Sequence, residues 1–323
     1  MISYNNMKNK KLRTIDLFAG IGGIRLAFER EGFETVYSND FDKKCKITFD
    51  GFFSDPKLTI ADIKEVKPED IPDFDVLLGG FPCQAFSIAG YRKGFEDSKG
   101  RGDLFFYIAK ILEKKKPVAF LLENVKNLVS HDGGKTFKII MGTIASLGYK
   151  ADYRIYNTYE YGNLPQNRER TYIVGFKDWE TLGKFQFPNK IPLTKSFKDI
   201  LEKEVDPKYY YNDKPLFERI KNEVKSENTI YQWRRQYVRE NKKGICPTLT
   251  ANMGMGGHNV PIIRDKKGIR KLTPRECFRL QGFPDDYPLP KLADSILYKQ
   301  IGNSVSVPVL QRFAREIMKV LSS

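Results

Sequence analysis

The chain is 323 residues long, with 41% hydrophobic and 13% aromatic residues, enough apolar material to bury one large core and a smaller second body. That composition excludes a disordered chain, and no stretch nears the roughly 18 consecutive apolar residues of a membrane span. Lys and Arg number 55 against 40 Asp and Glu, a formal charge of +15 that suits a polyanionic partner and leaves DNA, RNA and anionic membranes open.

Residues 1–13 are basic and polar with no apolar segment behind them, so the expectation is a cytoplasmic protein without a signal peptide. In chain order, the first half alternates short β-branched or apolar runs with longer amphipathic ones. Residues 14–18 predict a strand and 24–30 a helix; 35–39 and 43–49 repeat the pair, which is a βαβ rhythm. It continues with strands at 76–80, 118–123 and 170–176, and helices at 104–115 and 135–147. A doubly wound, mostly parallel α/β sheet follows, with ligands expected at the carboxyl ends of its strands. After Lys177 the alternation fades, Pro and Lys become frequent, and charges cluster at 221–225 and at Arg234, Arg235 and Arg239. The expected division is a catalytic domain of residues 1–177 plus 297–323, a second domain at 178–264, and a hinge at 265–296. A last amphipathic helix over 307–321 is expected to pack back onto the first domain.

The segment Asp16-Leu17-Phe18-Ala19-Gly20-Ile21-Gly22-Gly23 falls where the first strand turns into the first helix, where glycines let a ligand approach the helix N-terminus. A dinucleotide fingerprint needs a third glycine where Arg25 stands, which disfavours a nicotinamide oxidoreductase. Asp40, ending the second strand, is placed to accept ribose hydroxyls, and Phe41 to stack on adenine. Those features suit a nucleoside-like ligand lacking a pyrophosphate, such as S-adenosylmethionine; a purely structural turn is the alternative reading.

Four cysteines, at 45, 83, 246 and 277, are too scattered for a metal knuckle, and no metal site is expected. Cys45 and Cys277 read as small buried hydrophobes inside helices, and nothing singles out Cys246. Cys83 differs, because Gly79-Gly80-Phe81-Pro82-Cys83-Gln84 is a punctuated loop at the carboxyl end of a buried strand. The next strand ends in Glu123, costly there unless solvated or paired, with helix capping as its alternative job. A third segment, Gln166-Asn167-Arg168-Glu169-Arg170, sets two arginines before another strand.

In order, these motifs resemble the DNA cytosine-C5 methyltransferase family of bacterial restriction–modification systems. The glycine loop is similar to its cofactor motif, Pro82-Cys83-Gln84 to its nucleophile motif, Glu123-Asn124-Val125 to its cytosine-contacting motif and Gln166 to Arg170 to its QxRxR motif. Residues 270–284 and Gln300-Ile301-Gly302-Asn303-Ser304-Val305 resemble the last two. The likeness runs from residue 14 to residue 320 and leaves about 178–260 as the variable target-recognition region. It implies a Rossmann-like S-adenosylmethionine-dependent fold with a smaller target-recognition domain. It implies a cofactor pocket of Phe18, Gly20, Gly22, Gly23, Asp40, Phe41, Asp62, Ile63, Pro82, Leu104 and Asn303, with S-adenosylhomocysteine as product. It implies catalysis by Cys83, Glu123, Arg168 and Arg170. Asp40 and Phe41 stand where many members carry glutamate and tryptophan, changes that keep a carboxylate and an aromatic face and bear on cofactor affinity.

The chemistry accounts for the same residue types. Cytosine C5 is a poor nucleophile until a thiolate adds to C6, and charge developing on the ring needs a partner at N3 and at O2. A thiol at a strand end cannot reach a stacked base, so the nucleotide must flip out of the duplex, and residues 87–102 are expected to cover it as a lid. Ser87, Arg234, Arg235, Arg239 and Thr250 are the expected DNA contacts. Arginine forks suit guanine edges, which favours a short G·C-rich site, although phosphate contact or a solvated charged face is at least as good a reading for any one of them. Double-stranded DNA is the expected partner of a monomer with no membrane role, alongside a cognate restriction endonuclease acting on the same site. The rival functions are a tRNA cytosine methyltransferase on the same motifs, which the basic 178–260 region disfavours, and a non-catalytic DNA-binding regulator, which Cys83, Glu123 and Arg170 together disfavour.

Overall fold

The computed structural model describes residues 11–82, 104–234, 236–254 and 260–323. Cys83, Ser87, Arg235 and the stretch 87–102 lie outside the described residues. The chain forms two compact units: Met1–Tyr156, Arg170–Pro188 and Leu310–Ser323 make the first, Asn157–Glu169 and Asn189–Val309 the second.

The first unit runs β1 (Arg13–Leu17), α1 (Gly23–Glu29), β2 (Glu34–Asp40), α2 (Lys43–Asp50), β3 (Thr59–Ile60), β4 (Val76–Gly80), α3 (Leu104–Lys115), β5 (Ala119–Val125), α4 (Lys135–Ser146) and β6 (Lys150–Asn157). The chain then enters the second unit for α5 (Thr158–Tyr161) and β7 (Gln166–Asn167), and returns with β8 (Glu169–Phe176). Seven strands form one sheet in the order β3-β2-β1-β4-β5-β8-β6. The pairs β3–β2, β2–β1, β1–β4 and β4–β5 are parallel, whereas β8 runs antiparallel to β5. Val76, Leu77 and Leu78 of β4 are fully buried, as are Ala119, Phe120, Leu121 and Leu122 of β5. Such unbroken apolar runs mark central strands covered on both faces, which is why they were legible as strands without alternation.

Helices α3 and α4 supply one covering layer: Phe105, Ile108, Ile111, Leu112, Ile140 and Ile144 share a core with Phe120, Leu122 and Tyr149. The last helix, Val307–Ser322, joins the first unit from Leu310 onward, as its amphipathic spacing predicted. Its Phe313 stacks on Tyr172 with ring centroids 4.8 Å apart, and Gln311 and Arg315 both bond the Glu31 carboxylate, at 2.8 and 2.9 Å. The strand order reverses direction between β1 and β4, so the loops leaving these two strands flank the crevice where such sheets bind ligands.

The second unit carries β9 (Ile230–Trp233), β10 (Val238–Asn241), β11 (Cys246–Pro247), β12 (Ile262–Asp265) and β13 (Gly268–Lys271). Four of them form an antiparallel sheet in the order β10-β9-β12-β13, and β11 pairs in parallel with β7. Tyr211, Ile220, Val224, Tyr231, Trp233, Ile262 and Ile269 make this unit's own core. The helix at Pro274–Gln281 opens with a capping box of Thr273 and Glu276, Pro274 at its first position, and closes on Gly282 at φ +86.

The division differs from the expected boundary at 177, and the reason lies in pairing. Gln166 and Asn167 pair with Cys246 and Pro247, and Arg168 bonds carbonyls of residues 249, 302 and 304, so 157–169 folds with the later segments although it precedes the return strand β8.

Candidate active site

Asp16, next to last in β1, is fully buried, and one of its oxygens accepts the Arg25 backbone N–H at 3.2 Å, tying β1 to the start of α1. The other oxygen is buried without a hydrogen-bond partner, and burial pushes the carboxyl up to about 8. Phe18 and Gly20 take the left-handed backbone region at φ 58 and 55, and Gly22 at 75. The chain thus doubles back before α1. A Cβ on Gly22 would drive into the Phe53 ring, so this glycine is required by packing as much as by the turn. Arg25, standing in place of a third fingerprint glycine, is itself buried. It pairs with Glu29 at 2.7 Å, donates to the carbonyls of Asp55 and Pro56, and lies 4.3 Å over the Phe53 ring.

Between the ends of these strands lies a cavity of about 290 Å³. Phe18, Asp40, Phe41, Asp62, Ile63, Pro82 and Leu104 line it, seven of the residues expected to hold a cofactor, together with Asn39, Ala61 and Lys64. Asp40 is oriented by two backbone donors, Gly20 N–H at 2.8 Å and Asp42 N–H at 2.8 Å, each on a different oxygen. Burial raises its pKa, against the pull of the backbone donors of Asp42, Gly20 and Phe41. Phe41 is 71% exposed, an aromatic face at the rim with no protein partner covering it. Buried Asn39 donates to the carbonyls of Thr59 and Ala61 at 3.2 and 3.0 Å, fixing the neighbouring wall. Asn39, Ala61 and Lys64 were not anticipated; Asn39 lay in view as the residue before Asp40 on a buried strand. Gly20, Gly22 and Gly23 are not among the lining residues, and they shape the turn instead. Asn303 belongs to the second unit, exposed at the end of the helix Asp294–Asn303.

Strand register sets the second group. Gly80 pairs with Glu123 across β4 and β5, so the chain leaves for Phe81 and Pro82 beside the Glu123 carboxyl. A Cβ on Gly80 would stand 3.7 Å from Glu123 Oε2, and its absence keeps that side of the carboxyl open. Because β8 is antiparallel, its first residues lie at the edge where β4 and β5 end, and Val125 pairs with Arg170. Arg170 Nε lies 3.0 Å from Glu123 Oε1, with both side chains about nine-tenths buried. The contact is electrostatic and not an aligned hydrogen bond, since Oε1 accepts none. Asn124 donates to the Phe81 carbonyl at 2.8 Å, anchoring the loop that leads to residue 83 onto β5. Position 124 was noted in the sequence, but its anchoring role was not.

Arg168 is placed differently from the sequence expectation that it serves catalysis directly. It is 2% exposed and donates to the carbonyls of Leu249 at 2.9 Å, Gly302 at 3.4 Å and Ser304, while its own N–H meets Asn157 Oδ1 at 2.9 Å. Such a guanidinium holds backbone segments of the second unit together. Arg234 and Arg239 are exposed, Arg234 where the β9–β10 hairpin turns, its N–H bonded to the Tyr237 carbonyl at 2.9 Å, and Thr250 is exposed beside Ala251. Cys45, Cys246 and Cys277 are buried; Cys246 lies in β11, and burial pushes it and Cys277 well above the usual thiol range. Among the described residues, no helix is long and apolar enough to cross a membrane.

Residues 12–319 match the family model of C-5 cytosine-specific DNA methylases. The chain is 55% identical over 313 residues to the type II methyltransferase M.Bsp6I of Bacillus sp. (strain RFL6), covering 95% of this chain and 99% of that protein. It is 42% identical to M1.ScrFI of Lactococcus lactis subsp. cremoris, over 98% of this chain and 81% of that protein, and 40% identical to M.HhaI of Haemophilus parahaemolyticus, over 98% and 97%. Solved structures share the fold: a DNMT2 variant of Spodoptera frugiperda at TM-score 0.73 and 19% identity, covering 97% of this chain and all of that one, and a putative DNA modification methyltransferase of an E. coli prophage at 0.72 and 21%, with the same coverage. The chain belongs to the C-5 cytosine-specific DNA methylase family. It is an enzyme, a DNA (cytosine-5) methyltransferase.

Proposed function

We propose that the enzyme methylates C5 of a flipped-out cytosine within a specific short duplex sequence, using S-adenosylmethionine and a transient bond from Cys83 to cytosine C6. The observation that carries this reading is the Glu123–Arg170 pair at 3.0 Å, set beside the strand that leads through Pro82 to Cys83.

The 290 Å³ cavity suits the cofactor by its donors: a carboxylate pre-oriented by two backbone amides, an exposed aromatic face, and apolar Ile63, Pro82 and Leu104. Asp40 would bind the ribose hydroxyls and Phe41 the adenine. Bound there, S-adenosylmethionine would supply an electrophilic methyl group to C5. The protein's own part is to make C5 reactive. The Cys83 thiolate bonds to C6, Glu123 shares a proton at N3, and Arg170 holds the O2 side, so that the charge arising on the ring falls between a carboxyl and a guanidinium. Loss of the C5 proton after methylation and departure of Cys83 restore the aromatic ring. Asn124 holds the nucleophile loop to β5, and Arg168 acts as a positioning residue by fixing the segments around residues 249 and 302–304.

The relatives named as type II methyltransferases support a modification role, with a cognate endonuclease of the same site as partner and Arg234, Arg235, Arg239, Ser87 and Thr250 as DNA contacts. Bisulfite sequencing of DNA from cells expressing the protein tests the reading. Protected cytosines should appear in one sequence context and vanish with Glu123→Gln; DNA without protected cytosines in any context contradicts it.

A further inference from the structure

We infer that a lysine-rimmed cleft on the second unit is a seat for the phosphodiester backbone of duplex DNA. The inference rests on the reading of duplex DNA as substrate and adds a binding site separate from the catalytic groups and from the arginine hairpin. The cleft has a volume of about 380 Å³, ample for a sugar–phosphate segment. Its lining includes Lys195, Lys198, Lys242 and Lys243 and not one Asp or Glu.

The walls are built by defined bonds. Asn163 Oδ1 accepts the N–H groups of Thr194 and Lys195 at 2.7 and 3.2 Å, pinning the segment that carries Lys195. Opposite it, Gly244 N–H meets the Asn241 carbonyl at 2.9 Å, closing the turn that presents Lys242 and Lys243. Gly244 sits at φ +64, and a Cβ there would lie 3.4 Å from the Phe197 ring, so the turn packs beside that buried side chain. Lys198 reaches across to Asn228 Oδ1 at 2.5 Å. Lys195, Lys242 and Lys243 are exposed and, among the described residues, form no ion pair. Four cations held around one cleft repel one another unless an anion joins them, which is the electrostatic sign of a polyanion seat.

Ammonium groups are point charges that bind phosphate without reading base edges. The turn carrying Lys242 and Lys243 runs on into β11, whose Cys246 N–H bonds the Pro165 carbonyl at 2.7 Å and whose residues pair with Gln166 and Asn167. Backbone seated in the cleft is thereby held in register with the segment that ends in Arg168.

The test uses the full chain and measures binding to a duplex of about three helical turns by fluorescence anisotropy across a salt series. Replacing Lys195, Lys242 and Lys243 together by Gln should lower the slope of log affinity against log salt by roughly 2.7, at about 0.9 per phosphate contact, and weaken binding on the order of 10²-fold at 0.1 M salt. Sequence context in bisulfite reads should stay unchanged, and so should S-adenosylmethionine affinity by calorimetry, which also shows that the variant folds. A control replacing Lys110, Lys114 and Lys138 of the first unit removes the same charge. If wild type binds with a steep slope and the cleft variant loses no more than the control, the cleft is not the seat while the DNA reading stands. A flat slope in wild type would instead overturn the DNA reading itself.

Discussion

At the scale of single residues, Asp16 shows how burial makes a carboxyl's contribution to stability depend on pH. Its folded-state pKa of about 8 lies above the ordinary value of 3.8, so the folded chain holds a proton that the unfolded chain releases. Its stabilising effect is therefore complete below about pH 4 and is lost as pH rises toward 8, at up to about 1.4 kcal/mol per pH unit. Asp16→Asn keeps an acceptor for the Arg25 N–H and removes the titration. Urea unfolding at pH 5, 6, 7 and 8 should show the wild type losing stability more steeply than the variant; parallel pH curves would contradict the assignment. The glycine loop around Asp16 was legible in the sequence because glycines at a strand–helix turn have few other uses. The burial that shifts Asp16 was not legible, since it depends on packing from α1 and on Arg25, whose position in the sequence resembles a fingerprint defect. Glu123 and Arg170 were legible as charges at strand ends, whereas Arg168, two places away and of the same type, points into the second unit to backbone carbonyls.

At the scale of elements, the helix Pro274–Gln281 is fixed by one buried ion cluster. Glu276, fully buried, accepts from both terminal nitrogens of Arg270 at 2.8 Å, from Thr273 N–H at 2.8 Å and from Glu202 N–H at 3.0 Å, and Asp265 adds a second carboxylate 2.8 Å from Arg270. Removing one partner strands a buried charge, so Glu276→Ala should cost about 3–5 kcal/mol, read as a lower urea midpoint at unchanged denaturant slope. A loss below about 1 kcal/mol would mean that the cluster is not the cap's anchor. The capping box itself could be read from Thr273-Pro274-Arg275-Glu276, but the partners at 202, 265 and 270 could not, because they come from distant segments. The same limit applies to sheet direction. Residues 170–176 were legible as a strand from their apolar run, yet nothing in that run tells parallel from antiparallel, and the antiparallel sense is what carries Arg170 to the edge beside Glu123.

At the scale of the whole molecule, the alternation of the first half was enough to give a doubly wound sheet, its central strands β4 and β5 reading as nearly unbroken apolar runs. The second unit was less legible: its strands are four residues or shorter and range from the wholly buried β9 to the largely exposed β10, so neither period dominates. Its boundary was missed for a topological reason, since 157–169 leaves the main sheet and comes back. The central claim is that this fold brings Cys83, Glu123 and Arg170 to one cytosine, and it can be tested directly by trapping. Fluorine at C5 cannot leave as a proton, so a methylated adduct on 5-fluorocytosine cannot release its thiol. A duplex carrying 5-fluorocytosine at the methylated position should give a denaturation-resistant protein–DNA complex that requires S-adenosylmethionine and maps to the Cys83 peptide. Cys83→Ser should abolish it while leaving duplex binding intact. No trapped species on a duplex that the wild type methylates, or a trap that persists in Cys83→Ser, would contradict the account.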